Sequence, residues 1–323
     1  MTWPLLALIT ALLYGLQGAW TKRLTDRVPA LVAAWAIFAF AFPPLAGYLA
    51  LQGMPEVEPV FWPALLTTSA LGLLSFFLYA SAIQRGDVGL TVPLLALTPI
   101  LLVPVEWLLL GDVPGLRGLA GIALVVAGVY LLNLRDLRHG PLAPLAAPLR
   151  DRGARRMLAV AALWSVSGVV DRIAVNASSP ALYGVWLTAL LGLGFLPLMA
   201  WARRRERERA GEAGGGEAGG GTGPGGRASG GVGTDSAPAP SHDGSLRRNA
   251  GALAVQGLLF AAMFVAQMEA LRLTLAANVV TIKRSGALVT VLLGGLAFGE
   301  RDLRARLLGT AVTVIGVLLV AGG

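Results

Sequence analysis

The chain has 323 residues, 55% of them hydrophobic and 14% charged, with a mean hydropathy of +0.69 and a net charge of +8. A soluble domain carries about 25% charged residues, and here helix-length apolar runs recur along almost the whole chain, which leaves no room for a large soluble domain. The absence of cysteine excludes disulfides, thiolate catalysis and cysteine zinc sites. His139 and His242 both fall in polar connecting segments, so a histidine metal or proton-relay site inside a membrane is excluded as well. The positive charge does not point to nucleic acid, because the arginines cluster in a few loops beside apolar spans, as they do where they orient a membrane protein.

In chain order, the first apolar run is Trp3–Trp20. It has the length of a signal peptide but no Lys or Arg ahead of its core and no small-x-small cleavage site, and it reads as a retained helix. A spanning helix needs roughly 17–25 mostly apolar residues. Nine further runs meet or approach that length: Ala30–Leu51, Trp62–Gln84, Leu90–Leu110, Leu116–Leu134, Met157–Val175, Leu182–Trp201, Ala250–Ala270, Ala276–Phe298 and Leu307–Val320. Two long connections interrupt them. Residues 135–156 are basic and proline-rich. Residues 202–249 begin Arg-Arg-Arg-Glu-Arg-Glu-Arg at 203 and become Gly/Ala/Ser/Pro-rich, a composition expected to stay disordered.

The chain repeats itself. Residues 81–131 fall on 269–319 without a gap, an offset of 188. Gly111-Asp112 lands on Gly299-Glu300, Gly121 on Gly309, and Gly128-Val129 on Gly316-Val317. Tyr14 and Gly18 in the first span match Trp164 and Gly168 in the sixth, with Lys22 opposite Arg172. Biased composition would scatter Leu and Ala matches; it would not repeatedly align glycine, nor an acid directly after glycine at a helix end. The expected architecture is therefore an all-α integral membrane protein of about ten transmembrane helices. They form two five-helix repeats, residues 1–134 and 157–323, joined by a basic connector at 135–156. An odd number of spans per repeat inverts one half relative to the other, a plan of secondary transporters that places the site near the midplane. Of the 26 Lys and Arg, 21 lie in odd-numbered loops and 3 in even-numbered ones, which puts the odd loops in the cytoplasm and both termini outside.

Pro99, the helix end Leu110-Gly111-Asp112 and the glycines Gly121 and Gly128 resemble the drug/metabolite transporter superfamily, specifically its two-repeat EamA-type members. Phe298-Gly299-Glu300, Gly309 and Gly316 carry the same resemblance in the second half. The second half departs from the pattern where Ala287 stands opposite Pro99, and the orientation departs from family members with both termini in the cytoplasm. Within the superfamily, Ile282-Lys283-Arg284 resembles the paired Lys-Arg of sugar-phosphate translocators, which implies a cation pair facing a central cavity and binding phosphate.

Lys283 and Arg284 lie seven and eight residues past Ala276, about 10 Å into the ninth span. A cation at the bilayer centre costs about 2.5–3.5 kcal/mol on insertion scales, so the pair is expected either to hold an anionic substrate in a wet cavity or to divide between snorkelling and a buried carboxylate. Asp171 is the natural partner, through Arg172 or Lys283, and otherwise a carboxylate that releases Lys283 when substrate arrives. Glu106 and Glu269, at the margins of apolar spans, are candidates for proton coupling or simply solvated at the interface. Tyr14 and Trp164, placed symmetrically one turn before a glycine, are candidates for lining the cavity or for packing. The Gly121/Gly128 and Gly309/Gly316 faces suit close helix packing, within a protomer or between two.

The expected function is secondary transport, as exporter or exchanger, of a small anionic or zwitterionic metabolite by alternating access. The alternative is a flippase for a lipid-linked or amphipathic phosphate-bearing substrate. No GxxxxGK[ST] loop is present, so ATP does not drive it. No enzymatic activity, cofactor or metal is expected. The expected location is the cell (cytoplasmic or inner) membrane, with lipids and a small-molecule substrate as partners, no nucleic acid, and a monomer or homodimer as the assembly.

Overall fold

Hydrocarbon offers backbone N–H and C=O groups no water, so apolar runs of this length must satisfy those groups internally as helices. The computed structural model describes residues 2–25, 27–85, 91–133, 151–215, 248–289 and 303–322, and among them no strand occurs. The helices are α1 (Trp3–Thr25), α2 (Ala30–Gln52), α3 (Phe61–Arg85), α4 (Thr98–Leu110), α5 (Leu116–Asn133), α6 (Arg152–Asn176), α7 (Pro180–Gly215), α8 (Ala250–Leu273), α9 (Ala276–Arg284) and α10 (Leu303–Ala321), with a 3-10 segment, Val92–Leu97, leading into α4. Among the described residues seven segments are long and apolar enough to cross a membrane, the 3-10 segment counting with α4; Leu116–Leu131 and Leu308–Ala321 are shorter apolar helices. This is the architecture of a multi-pass membrane protein.

Three expectations need correction. α6 begins at Arg152, inside the supposed connector, because the Asp151 side chain accepts from Ala154 N at 2.6 Å and caps it. α7 continues past the apolar run to Gly215. Arg, Glu and Ala are strong helix formers, and a helix already nucleated in the span extends into them at little cost. The rest of the expected loop, 216–247, lies outside the described residues, as do 134–150 and the Phe298-Gly299-Glu300 helix end.

The third correction concerns the fourth and ninth spans, which are not continuous α-helices. The fourth changes from 3-10 to α geometry at Leu97 and Thr98, with Pro99 in the first turn of α4, where its missing N–H is not needed. α9 stops at Arg284; Ser285 forms a turn, and helix resumes over 286–289. Hydroxyls bond back to carbonyls at both interruptions: Thr98 Oγ1 donates to Leu95 O at 2.7 Å, and Ser285 Oγ to Ile282 O at 2.6 Å.

α5 and α10 press together through their glycines. A Cβ on Gly121 would meet Gly316 O and the Val320 backbone, and one on Gly316 would meet Val125 N. The glycine faces of these two helices therefore pack against each other within one protomer. Around them α1 packs on α8, α3 on α6, α2 on both α7 and α8, α4 on α6 and α1 on α9. The core follows α6, α8 and α9: Ala276, Ala277, Val279 and Ile282 are fully buried, as are Val169 and Ala174.

Candidate functional site

α9 is held at both ends. At its start, Glu106 of α4 accepts hydrogen bonds from Ala276 N to Oε1 at 2.7 Å and from Ala277 N to Oε2 at 2.9 Å. These are amides that a helix N-terminus leaves without an intrahelical partner, and a carboxylate there also meets the positive end of the helix dipole. Glu106 is completely buried and further bonded to Arg172 NH1 at 3.0 Å, and the same nitrogen reaches Asp112 Oδ2 at 2.6 Å. At the other end, Gly286 lies so close to the Ala11 carbonyl of α1 that no Cβ fits between them. This contact brings Tyr14, one turn further along α1, beside the two cations.

Between these anchors α1, α3, α4, α6, α8 and α9 enclose a cavity of about 590 Å³, with Phe38 of α2 completing its wall. Lys283 and Arg284 both face it. Lys283 Nζ donates to Gln267 Oε1 at 2.6 Å and lies 5.2 Å from the Tyr14 ring centroid. Arg284 NH2 donates to Thr98 Oγ1 at 3.1 Å and NH1 to the Tyr14 hydroxyl at 3.4 Å, while its guanidinium sits 5.2 Å over the Trp164 ring. Trp164 in turn stacks on Tyr79, with centroids 6.2 Å apart and planes 24° apart. Among the described residues Arg284 Nε has no hydrogen-bond partner, and an acceptor arriving in the cavity would supply one.

Asp171 also lines the cavity, but its Oδ1 accepts from the Tyr183 hydroxyl at 2.6 Å. The expected Asp171–Arg172 pair is replaced by Arg172 bonding to Glu106 and Asp112. Each residue step along a helix rotates the side chain by about 100°, so Asp171 and Arg172 serve different sides of α6.

The structure thus gathers five of the seven singled-out residues, Lys283, Arg284, Asp171, Tyr14 and Trp164, around one cavity. Glu106 stands apart as the cap of α9. Glu269 also stands apart: it lies 3.7 Å from Arg272 and lines a separate cleft of about 370 Å³ with Tyr48 and Leu45. Neither carboxylate borders the central cavity, so their expected part in proton coupling has no contact with the cation pair. Gln267, Thr98 and Tyr79 were not singled out by the sequence. A glutamine inside an apolar run and a threonine ahead of a proline are the signals that pointed to the first two; nothing local marked Tyr79.

Removal of the Glu106 side chain should strand Arg172 and free two buried amides together. Glu106→Ala is expected to destabilise the fold by on the order of 3–5 kcal/mol, and Glu106→Gln by less, because an amide oxygen still accepts one of the two N–H groups. Thermal melting in detergent checks this; equal melting of Glu106→Ala and the parent would contradict the capping role.

Residues 1–134 match the EamA-like transporter family. The EamA-like match covers α1 to α5. No curated protein matches the chain. A solved structure titled "Crystal structure of protein" is similar to it, with a TM-score of 0.67 at 16% identity, covering 98% of this chain and 95% of that one. Identity that low shows a shared fold, and it shows it over both the EamA-like portion and the remainder.

Proposed function

We propose that the chain is a secondary transporter of a small anionic or zwitterionic metabolite, built from two inverted EamA-like halves that alternate access to the central cavity. The observation that carries this reading is the pair Lys283 and Arg284. Their hydrogen-bond partners are neutral, Gln267, Thr98 and Tyr14, and the aromatic face of Trp164 covers the guanidinium. Two cations held by neutral groups, with Asp171 engaged by Tyr183, leave a positive excess in a site of about metabolite size. An anion entering there gains charge-assisted hydrogen bonds without displacing a carboxylate.

Two further observations support inverted halves. The helix packing is preserved when the two sets of five are exchanged: α1 on α8 becomes α6 on α3, α4 on α6 becomes α9 on α1, while α2 with α7 and α5 with α10 map onto themselves. The interruptions at Thr98 and at Ser285 and Gly286 also correspond, since the 188-residue offset places Thr98 on Gly286. Broken helices meeting near the middle of a bundle are how secondary transporters present polar groups to substrate. On this reading residues 157–323 are the second half, the Lys22 end of α1 faces the cytoplasm of the cell membrane, and the family match to residues 1–134 extends in kind to the whole bundle.

The test is flux into proteoliposomes of purified protein, run on sugar phosphates and carboxylates against cationic and neutral solutes, and in parallel on a fluorescent phospholipid. Saturable uptake of anions supports the transporter; movement of lipid alone favours a flippase. Conversion of a solute in detergent, where no compartments exist, would overturn both.

A further inference from the structure

Asp171 and Arg172 are neighbours in α6, yet they line different spaces. Asp171 borders the central cavity, and Arg172 borders a second depression of about 330 Å³ at the end of the bundle formed by Gly111–Gly115 and the α6–α7 turn, together with Glu58, Asp112 and Asn176. Between the two spaces stand Glu106, fully buried, and the first residues of α9, Ala276 and Ala277, fully buried as well. At the opposite end the cavity is bordered by Lys22 and Thr25, both exposed at the C-terminus of α1. Among the described residues the central cavity reaches the exposed Lys22 and Thr25 and does not reach Arg172.

The closure consists of a few polar bonds across four elements. Arg172 uses the single nitrogen NH1 for both carboxylates, at 3.0 Å to Glu106 on α4 and 2.6 Å to Asp112 beyond its C-terminus. Among the described residues its Nε has no hydrogen-bond partner. Glu106 spends its two oxygens on the first amides of α9. The side chains are 18%, 0% and 44% exposed for Arg172, Glu106 and Asp112, so the bonds run from solvent into the seal.

We propose that Arg172, Glu106 and Asp112 form the gate that closes the cavity at the end away from Lys22, and that α9 is the rigid rod linking this gate to the substrate site. Glu106 grips the first two residues of α9, and Lys283 and Arg284 are its last two. Over nine residues a helix moves as a unit of about 13 Å, so displacement of the cations by a bound anion is delivered to the Glu106 contact. The linkage to substrate rests on the transporter reading; the gate itself does not. Both ends of the rod bias the same equilibrium, which is what coupling between separated sites requires.

The absence of cysteine from the chain allows a clean test. Val280 borders the cavity in the middle of α9, and Val280→Cys would be the one thiol present. In membranes of known orientation, an impermeant maleimide should label it from the Lys22 side and hardly at all from the other. Adding Arg172→Gln should raise labelling from the Arg172 side about tenfold or more, the order expected when an ion pair made in one state alone is lost. Arg172→Lys should restore part of the closure, and Asp112→Asn should act in the same direction as Arg172→Gln but less. If Arg172→Gln does not fold, Asp112→Asn decides, because that side chain is 44% exposed and its loss leaves the buried Glu106 contact intact. Unchanged labelling from the Arg172 side in a folded variant, or equal labelling of the parent from both sides, overturns the gate. Labelling needs no substrate, so a gate that responds while every solute fails to move would sink the transporter reading alone. Flux with no labelling response would sink the gate alone.

Discussion

Lys283→Met should reduce anion flux by about 10- to 100-fold while the protein folds and melts as the parent does. A hydrogen bond from a charged group contributes about 1.5–3 kcal/mol, and each 1.4 kcal/mol is a factor of ten. The variant should fold because the hydrogen-bond partner left behind is the Gln267 amide, a neutral group beside an open cavity, while Asp171 on the same cavity keeps its hydrogen bond from Tyr183. Met also keeps most of the volume of the Lys stem against Tyr14. Arg284→Met is expected to lose at least as much activity, since the guanidinium touches Thr98, Tyr14 and Trp164 together. Ligand-dependent melting separates binding from turnover, because a ligand that binds the folded state raises stability by RT ln(1 + [L]/Kd). Sugar phosphates and carboxylates should stabilise the parent and not the Lys283→Met/Arg284→Met protein. Stabilisation by cationic solutes, equal in both, would make the pair structural and remove the anion from the proposed function.

Gly128→Val should lower the melting temperature by several degrees. A Cβ there would sit 2.7 Å from Thr313 N and 2.8 Å from Gly309 O, and closer still to Thr313 Oγ1. Two of these neighbours are backbone atoms, which no change of rotamer can move, so α5 and α10 would have to separate. Overpacking of this kind costs about 1–3 kcal/mol, and the separation also forfeits contacts along the interface, including those of Gly121 and Gly316. Gly47→Ala is the control, because nothing lies within 4 Å of its added Cβ; its melting should match the parent. Were Gly128→Val to melt like Gly47→Ala, the close approach of the two helices would be wrong, and the glycine faces would be free to serve between protomers instead.

The sequence alone determined what depends on short stretches of chain. Hydropathy and length located α2, α3, α5 and α8 to within three residues, because a run of apolar residues in hydrocarbon has no alternative to the helix. The Gly111 helix end was legible for a similar reason: Gly111 takes φ +74° and donates its N–H to Trp107 O at 2.9 Å, a left-handed cap that glycine adopts without strain. The depth of Lys283 and Arg284 was likewise countable from Ala276. Hydropathy failed at α7, because a helix does not end where its apolar residues do, and at the fourth and ninth spans, because a change to 3-10 geometry alters hydrogen bonding without altering composition.

Tertiary structure decided the partners. Glu106 looked like an interfacial acid, and it is instead the buried cap of a helix 170 residues later. Asp171 looked like a partner for Arg172, and its neighbour on α7, Tyr183, takes that place. Tyr79 and Trp164 form one wall although they belong to different helices, α3 and α6. In each case the contact crosses between helices that are each able to face several neighbours. Which faces meet is settled by close packing at points such as Gly286 against Ala11 and Gly128 against Thr313. Those contacts are properties of two surfaces brought together, and neither segment carries them by itself.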